Sequence, residues 1–140
     1  MNQATVFIVE DDEEFTQLLK LRIEAEGHRV LTAANGDEAY ELIQMHQPDL
    51  VILDIFLPDT DGLTILKRLK SSVDVETGKP SRTKAIPVVV LTGKAPMVEN
   101  IARVEGAADF FVKPVDTVKL ADRVCKLLEA KRHDRGSKRS

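Results

Sequence analysis

Hydrophobic and polar positions along this chain fall into two kinds of block that take turns. Short apolar runs occur at Thr5–Val9 (TVFIV), Arg29–Thr32 (RVLT), Leu50–Leu53 (LVIL), Val88–Leu91 (VVVL) and Phe110–Val112 (FFV). Most are apolar at consecutive positions and rich in Val, Ile and Phe, the pattern of parallel strands covered on both faces by helices. Between them the apolar positions fall three and four apart. Phe15, Leu18, Leu19 and Ile23 set that spacing in the first stretch, which Gly27 can stop. Asn35-Gly36-Asp37 opens a second, with Ala39, Leu42 and Ile43 on one face, and a third starts near Asp61-Gly62 and uses Leu63, Leu66 and Leu69. A weaker pattern covers roughly Pro96–Val104. The last begins after Asp116, a good N-cap, and presents Leu120, Ala121, Val124, Cys125, Leu127 and Leu128.

Five β-α units in succession predict an α/β domain, because right-handed crossovers wind such a chain into a doubly wound parallel sheet. Its ligands bind at the carboxyl ends of the strands. One domain over 4–130 accommodates the whole pattern, followed by a tail at 131–140. The stretch Ser71–Ile86 (SSVDVETGKPSRTKAI) interrupts the rhythm with 16 residues rich in Ser, Thr, Gly, Pro and charge, long against the usual connection of about 4–6. A solvated surface insertion is the plainer reading and a partner-contact loop the sharper one.

Composition narrows the classes. The chain is 43% hydrophobic and 31% charged, as ordinary globular proteins are. No apolar run approaches the roughly 20 residues of a membrane span, and the N-terminus lacks a signal-peptide plan. A single cysteine, Cys125, excludes an intrachain disulfide framework and a cysteine-based zinc cage, and fits the buried face of the last helix as a small hydrophobe. The expected location is cytoplasmic. The net charge of −3 is uneven: the last ten residues carry five Lys/Arg and one Asp, which leaves 15 basic against 22 acidic side chains before them. An acidic body with six scattered aromatics is a poor nucleic-acid binder, since it lacks both the cations that displace counterions and a stacking platform. The basic tail is expected to be disordered and solvated, with a nucleic-acid or membrane contact as the alternative.

The chemistry-bearing residues follow strands. Five acids, Glu10 to Glu14, come after the first run and Asp54 after the third. If strands one and three are neighbours, Glu10, Asp11 and Asp54 share a crevice. Two carboxylates about 4 Å apart repel by roughly 4 kcal/mol at an effective dielectric of 20, so three together call for a proton or a cation. Magnesium suits them, being held by oxygen ligands and typically by one or two carboxylates. Direct ligation is assigned to Asp11 and Asp54, with Glu10 acting through water and the Phe56 carbonyl as a backbone ligand. Asp12–Glu14 belong instead to the first turn of the next helix, where negative charge favours the dipole. Thr92 ends the fourth strand and Lys113 the fifth, adding a hydroxyl and an ammonium at the same mouth. An aspartate there can act as nucleophile and form an acyl phosphate, and phosphoryl transfer needs little beyond positioning and charge neutralisation.

These residues resemble the receiver domain of two-component response regulators over about residues 4–130. Glu10 and Asp11 look like the family's acidic pair. Leu53-Asp54, followed by Leu57-Pro58 and Asp61-Gly62, resembles its phosphoacceptor segment. Pro87–Thr92 resembles its switch-threonine strand, and Lys113-Pro114 its lysine with a commonly cis proline. The resemblance implies a five-stranded flavodoxin-like (βα)5 sheet of order 2-1-3-4-5, Mg2+ (or Mn2+) as cofactor, and Asp54 phosphorylated by a histidine kinase or phosphotransfer protein. Thr92 would turn inward and Phe110 would fill the vacated space, although Phe110 also reads as a plain core residue. A downstream protein would then meet the face of helix four, strand five and helix five, in a monomer or a phosphorylation-dependent dimer. Phe56 and Lys94 depart from the family's familiar small polar choices, and bulk at Phe56 is expected to hinder the attacking water, with Lys94 pairing with the phosphate. His28, His46 and His133 have no metal spacing and no catalytic role.

The expected function is a stand-alone phosphoacceptor that is not an enzyme beyond assisting its own phosphorylation and dephosphorylation, since the chain ends ten residues after the last helical pattern. The alternative is the amino-terminal receiver of a larger regulator, a transcription factor or hybrid kinase. A remote alternative is a phosphohydrolase of the haloacid-dehalogenase type, which places a second acid two residues after its nucleophile, where this chain has Phe56.

Overall fold

The computed structural model describes residues 3–139 except 58, 60, 75, 94–99, 101 and 104, with side chains described up to residue 131. The apolar runs form β1 (Thr5–Val9), β2 (Arg29–Ala33), β3 (Leu50–Asp54), β4 (Val88–Thr92) and β5 (Asp109–Val112). All pair in parallel in the order β2-β1-β3-β4-β5. The helical stretches become α1 (Glu13–Ala25), α2 (Gly36–His46), α3 (Gly62–Lys70) and α4 (Thr117–Arg139). The helix expected over Pro96–Val104 lies mostly outside the described residues, although Asn100, Ala102 and Arg103 within it are helical.

Strand alternation sorts the core into two halves. Phe7, Val9, Val51, Leu53, Val88 and Val90 pack against α2 and α3 through Ala39, Tyr40, Ile43, Ile65, Leu66 and Leu69. Val6, Ile8, Leu50, Ile52, Val89 and Leu91 face α1 and α4 through Leu19, Ile23, Leu120, Val124 and Leu128. Every residue of β3 and β4 is buried, which explains why those runs show no polar alternation.

The helix starts follow their side chains. Asp12, Asn35 and Asp61 each accept a hydrogen bond from a backbone N–H in the first turn of the helix they precede. At the other end of α1, Gly27 adopts φ +92, a left-handed conformation that suits glycine. Residues 131–139 differ from the expected disordered tail, because α4 continues through them to Arg139. The segment has no proline and is rich in Lys and Arg, both good helix formers, and its one glycine, Gly136, costs about 1 kcal/mol without ending the helix.

Ser71–Ile86 is built rather than loose. Val73 and Pro80 form an antiparallel bridge, Asp74 N–H donates to the Lys79 carbonyl (2.8 Å) and Ser81 N–H to that of Ser72 (3.0 Å). The fully buried Thr83 donates its hydroxyl to the Leu69 carbonyl at 2.8 Å, fixing the return of this hairpin to the end of α3.

Candidate functional site

The site lies where β1, β3, β4 and β5 end. Parallel pairing of β1 with β3 stops at Val9 and Leu53, so Glu10 and Asp54 emerge side by side. Both are only 3% exposed, whereas Asp11 faces solvent. Oxygen atoms of Glu10, Asp11 and Asp54 lie within 4.8 Å of one another. The rest of the acidic run serves α1: Asp12 caps it through Phe15 N–H (3.1 Å), and Glu13 and Glu14 stand in its first turn.

Each oxygen of Asp54 has a donor. Phe56 N–H donates to Oδ1 at 3.0 Å and Lys113 Nζ to Oδ2 at 3.0 Å. The same ammonium stands 2.6 Å from Glu10 Oε2 and 5.6 Å from the centre of the Phe15 ring. Lys113 is positioned by its backbone, since its N–H donates to the Thr92 carbonyl (2.7 Å). Its peptide bond to Pro114 is cis. Burial pushes the Glu10 carboxyl up to about 7; Lys113 and the Asp12 N–H oppose the rise, and the charge of Asp54 adds to it. Burial disfavours the charged form of Lys113, but its contacts with Glu10 and Asp54 prevail and raise it above the usual lysine value.

This donor set fits a hard divalent cation. All three side chains offer carboxylate oxygen, the ligand type that Mg2+ selects. Glu10 Oε2 is buried and makes no directed hydrogen bond among the described residues despite its ion pair with Lys113. It therefore keeps acceptor capacity for a metal-bound water or an ion.

Thr92 ends β4 and is fully buried. Phe110 pairs with Val90 in β5, and because Thr92 lies two residues beyond Val90, Thr92 and Phe110 share one side of the sheet. Phe110 is half-buried against the core on the α2–α3 side. Phe56 is 53% exposed next to Asp54, while Lys94 lies outside the described residues.

The structure thus brings Glu10, Asp11, Asp54 and Lys113 together, with Thr92 at the neighbouring strand end. Two connections had no signal in the chain. One is the double pairing of Lys113 with Glu10 and Asp54, which depends on β1 and β3 being neighbours. The other is Asp59, whose two carboxylate oxygens accept N–H groups of Gly36 (2.9 Å) and Asp37 (3.2 Å) more than 20 positions away.

The model of the response regulator receiver domain family matches residues 6–125. The transcriptional regulatory protein AfsQ1 of Streptomyces coelicolor is 33% identical over 112 residues, 79% of this chain and 45% of that protein. The phosphate regulon transcriptional regulatory protein PhoB of Rhizobium meliloti is 36% identical over 124 residues, 88% of this chain and 51% of its own. The chain therefore spans about half the length of these curated relatives. Among solved structures, the BeF3-activated N-terminal receiver domain of Klebsiella pneumoniae RstA superposes with a TM-score of 0.72 at 30% identity, covering 89% of this chain and 97% of that one. No described helix is long and apolar enough to cross a membrane. With its strand order, its cluster of acids and its lysine in place, the chain belongs to the response regulator receiver domain family.

Proposed function

We propose that this domain accepts a phosphoryl group on Asp54 from the phosphohistidine of a kinase or phosphotransfer protein. The observation that carries the reading is the convergence of Asp54 with Glu10, Asp11 and the Lys113 ammonium at one end of the sheet. An Asp54 oxygen attacks phosphorus, the phosphorus–nitrogen bond breaks, and the imidazole leaves with the electron pair. Mg2+ or Mn2+, held by Asp11 and Asp54, by Glu10 through water and by the Phe56 carbonyl, would supply positive charge to the transferred oxygens. Lys113 neutralises charge from the other side, and Thr92 offers its hydroxyl to a phosphoryl oxygen.

Phosphorylation adds up to about −2 of charge and new acceptor oxygens. Thr92 turns towards them, and Phe110, on the same side of the sheet, takes up the space. The face of β5, α4 and the segment around Asn100–Arg103 then changes its preference for a downstream protein. A swing from 1:99 to 99:1 requires about 5.5 kcal/mol of differential interaction. The activated RstA receiver, a relative at 30% identity, supports the reading. The domain is proposed to act in the cytoplasm, by binding rather than by turning over a substrate. A stand-alone regulator and the receiver of a longer one would use this chemistry alike, and the half-length match to AfsQ1 and PhoB supports keeping the second arrangement beside the first.

Incubation with acetyl phosphate and Mg2+, followed by intact mass, tests the acceptor. The wild type gains one phosphoryl group and Asp54→Asn gains none; uptake by both defeats the assignment. The exposed Phe56 ring beside the acceptor, with Lys94, is proposed to prolong the phosphoryl state by hindering water. Phe56→Asn and Lys94→Ala should each speed its decay, and unchanged half-lives overturn that proposal.

A further inference from the structure

The segment between β3 and α3 is held at both ends. At its base, Gly62 N–H donates to the Ile55 carbonyl (2.8 Å), and Phe56 pairs with Asp61 in an antiparallel bridge. Its far end reaches another helix. The first turn of α2 has three N–H groups, on Gly36, Asp37 and Glu38, without a partner four residues back. Asn35 accepts from Glu38 at 3.0 Å, and Asp59 accepts from the other two, at 2.9 and 3.2 Å. A carboxylate there also meets the positive end of the helix dipole.

Phe56 belongs to the base of this segment, three residues before the Asp59 tie. Its ring is 53% exposed and belongs to neither half of the core, while its N–H donates to Asp54 Oδ1. Among the described residues no core cluster holds the ring, so its place beside Asp54 follows the backbone of this segment, which is tied at its base and at Asp59.

We infer that Asp59 is a positioning residue: by fastening this segment to α2 it keeps Phe56 beside the phosphorylated Asp54 and so sets the lifetime of the acyl phosphate. This rests on Asp54 being the phosphoacceptor. In the step concerned, a water oxygen adds to phosphorus and the bond from phosphorus to the Asp54 oxygen breaks. Asp54 leaves as carboxylate with the electron pair, and inorganic phosphate and a proton are released. A segment loosened at its tip lets the ring move away and water approach.

The full chain is phosphorylated with acetyl phosphate and Mg2+, the donor is removed, and loss of the phosphoryl group is followed by intact mass. Asp59→Ala should shorten the half-life at least threefold. Asp59→Asn, which keeps one uncharged acceptor and serves if the alanine variant does not fold, should fall between. In a Phe56→Ala background the same substitutions should change the half-life no further, a result that simple loss of a helix cap does not produce. Half-lives equal to wild type, or equal shortening in both backgrounds, overturn the role of Asp59. A wild type that takes up no phosphoryl group at Asp54 overturns the acceptor reading and this inference with it.

Discussion

Gly62 shows at the scale of one residue how closely the end of β3 is backed. A Cβ at this position would stand 2.5 Å from the Asp54 carbonyl oxygen and 2.6 Å from Ile55 Cα, both backbone atoms that cannot step aside. The chain announced Asp61-Gly62 as a helix start, which is correct, but not that the glycine is there for want of space. Alanine would gain about 1 kcal/mol of helix propensity and lose more to overpacking, typically about 1–3 kcal/mol. Gly62→Ala should therefore lower stability in urea denaturation and slow phosphoryl uptake by displacing Asp54. A variant as stable as wild type would show that β3 can shift freely there. The positions of Asp54 and Thr92, which end strands, and of Lys113, which follows one, were legible because the strand end dictates where such residues sit. Asp59 was not, since its partners Gly36 and Asp37 belong to a helix earlier in the chain.

Among the elements, strands and helices declared themselves by periodicity, and the hairpin at Ser71–Ile86 did not. Its polar composition reads as loop, while its order comes from hydrogen bonds to α3 that no local pattern encodes. Lys70, at the end of α3, is one of those ties: its Nζ donates to the Lys84 carbonyl (3.1 Å) and to that of Ile86. Burial, aided by the nearby charge of Lys131, lowers Lys70 to about 8, against 10.5 for an unperturbed lysine. Between these values the unfolded chain binds more protons than the native one, so this group makes stability rise with pH across that window. A neutral amine still has two N–H donors for the two carbonyls, so the tie survives deprotonation. Lys70→Met should cost about 1 kcal/mol at neutral pH, as the carbonyl of the buried Ile86 loses its donor. The gap between wild type and variant in urea should then widen as pH climbs from 8 to 10.5. A gap that stays level or narrows would place the Lys70 ammonium in water. The course of α4 is set by a related rule: the run after residue 130 is charged like a tail, but charge alone does not end a helix, and the run holds no proline and no glycine before Gly136.

Across the whole molecule, the doubly wound sheet buries β3 and β4 completely and leaves their carboxyl ends as the place where polar side chains converge. The layering could be read from the apolar runs, whereas the order β2-β1-β3-β4-β5 entered through resemblance, because pairing between distant strands leaves no periodic trace. That order carries a cost in stability. It sets Glu10 and Asp54, nearly buried, beside Asp11, with Lys113 as the cation that offsets them. Among the described residues one ammonium faces three carboxyl groups, and although burial lifts Glu10 to about 7, the native state without a divalent ion retains a crowding that the unfolded chain relieves by separating them. A cation that binds the folded site alone stabilises by mass action, about 2.7 kcal/mol at a hundred times its dissociation constant. Wild type should therefore resist urea more strongly with saturating Mg2+ than with chelator. Asp11 is exposed and forms no wall of the core, so Asp11→Asn should fold normally and match or exceed wild-type stability in chelator, since one of the crowded charges is gone. Addition of Mg2+ should then raise its stability much less than that of wild type. An equal gain in both proteins would place the cation away from the strand ends, and a loss of stability in chelator would show that Asp11 supports the fold rather than the ion.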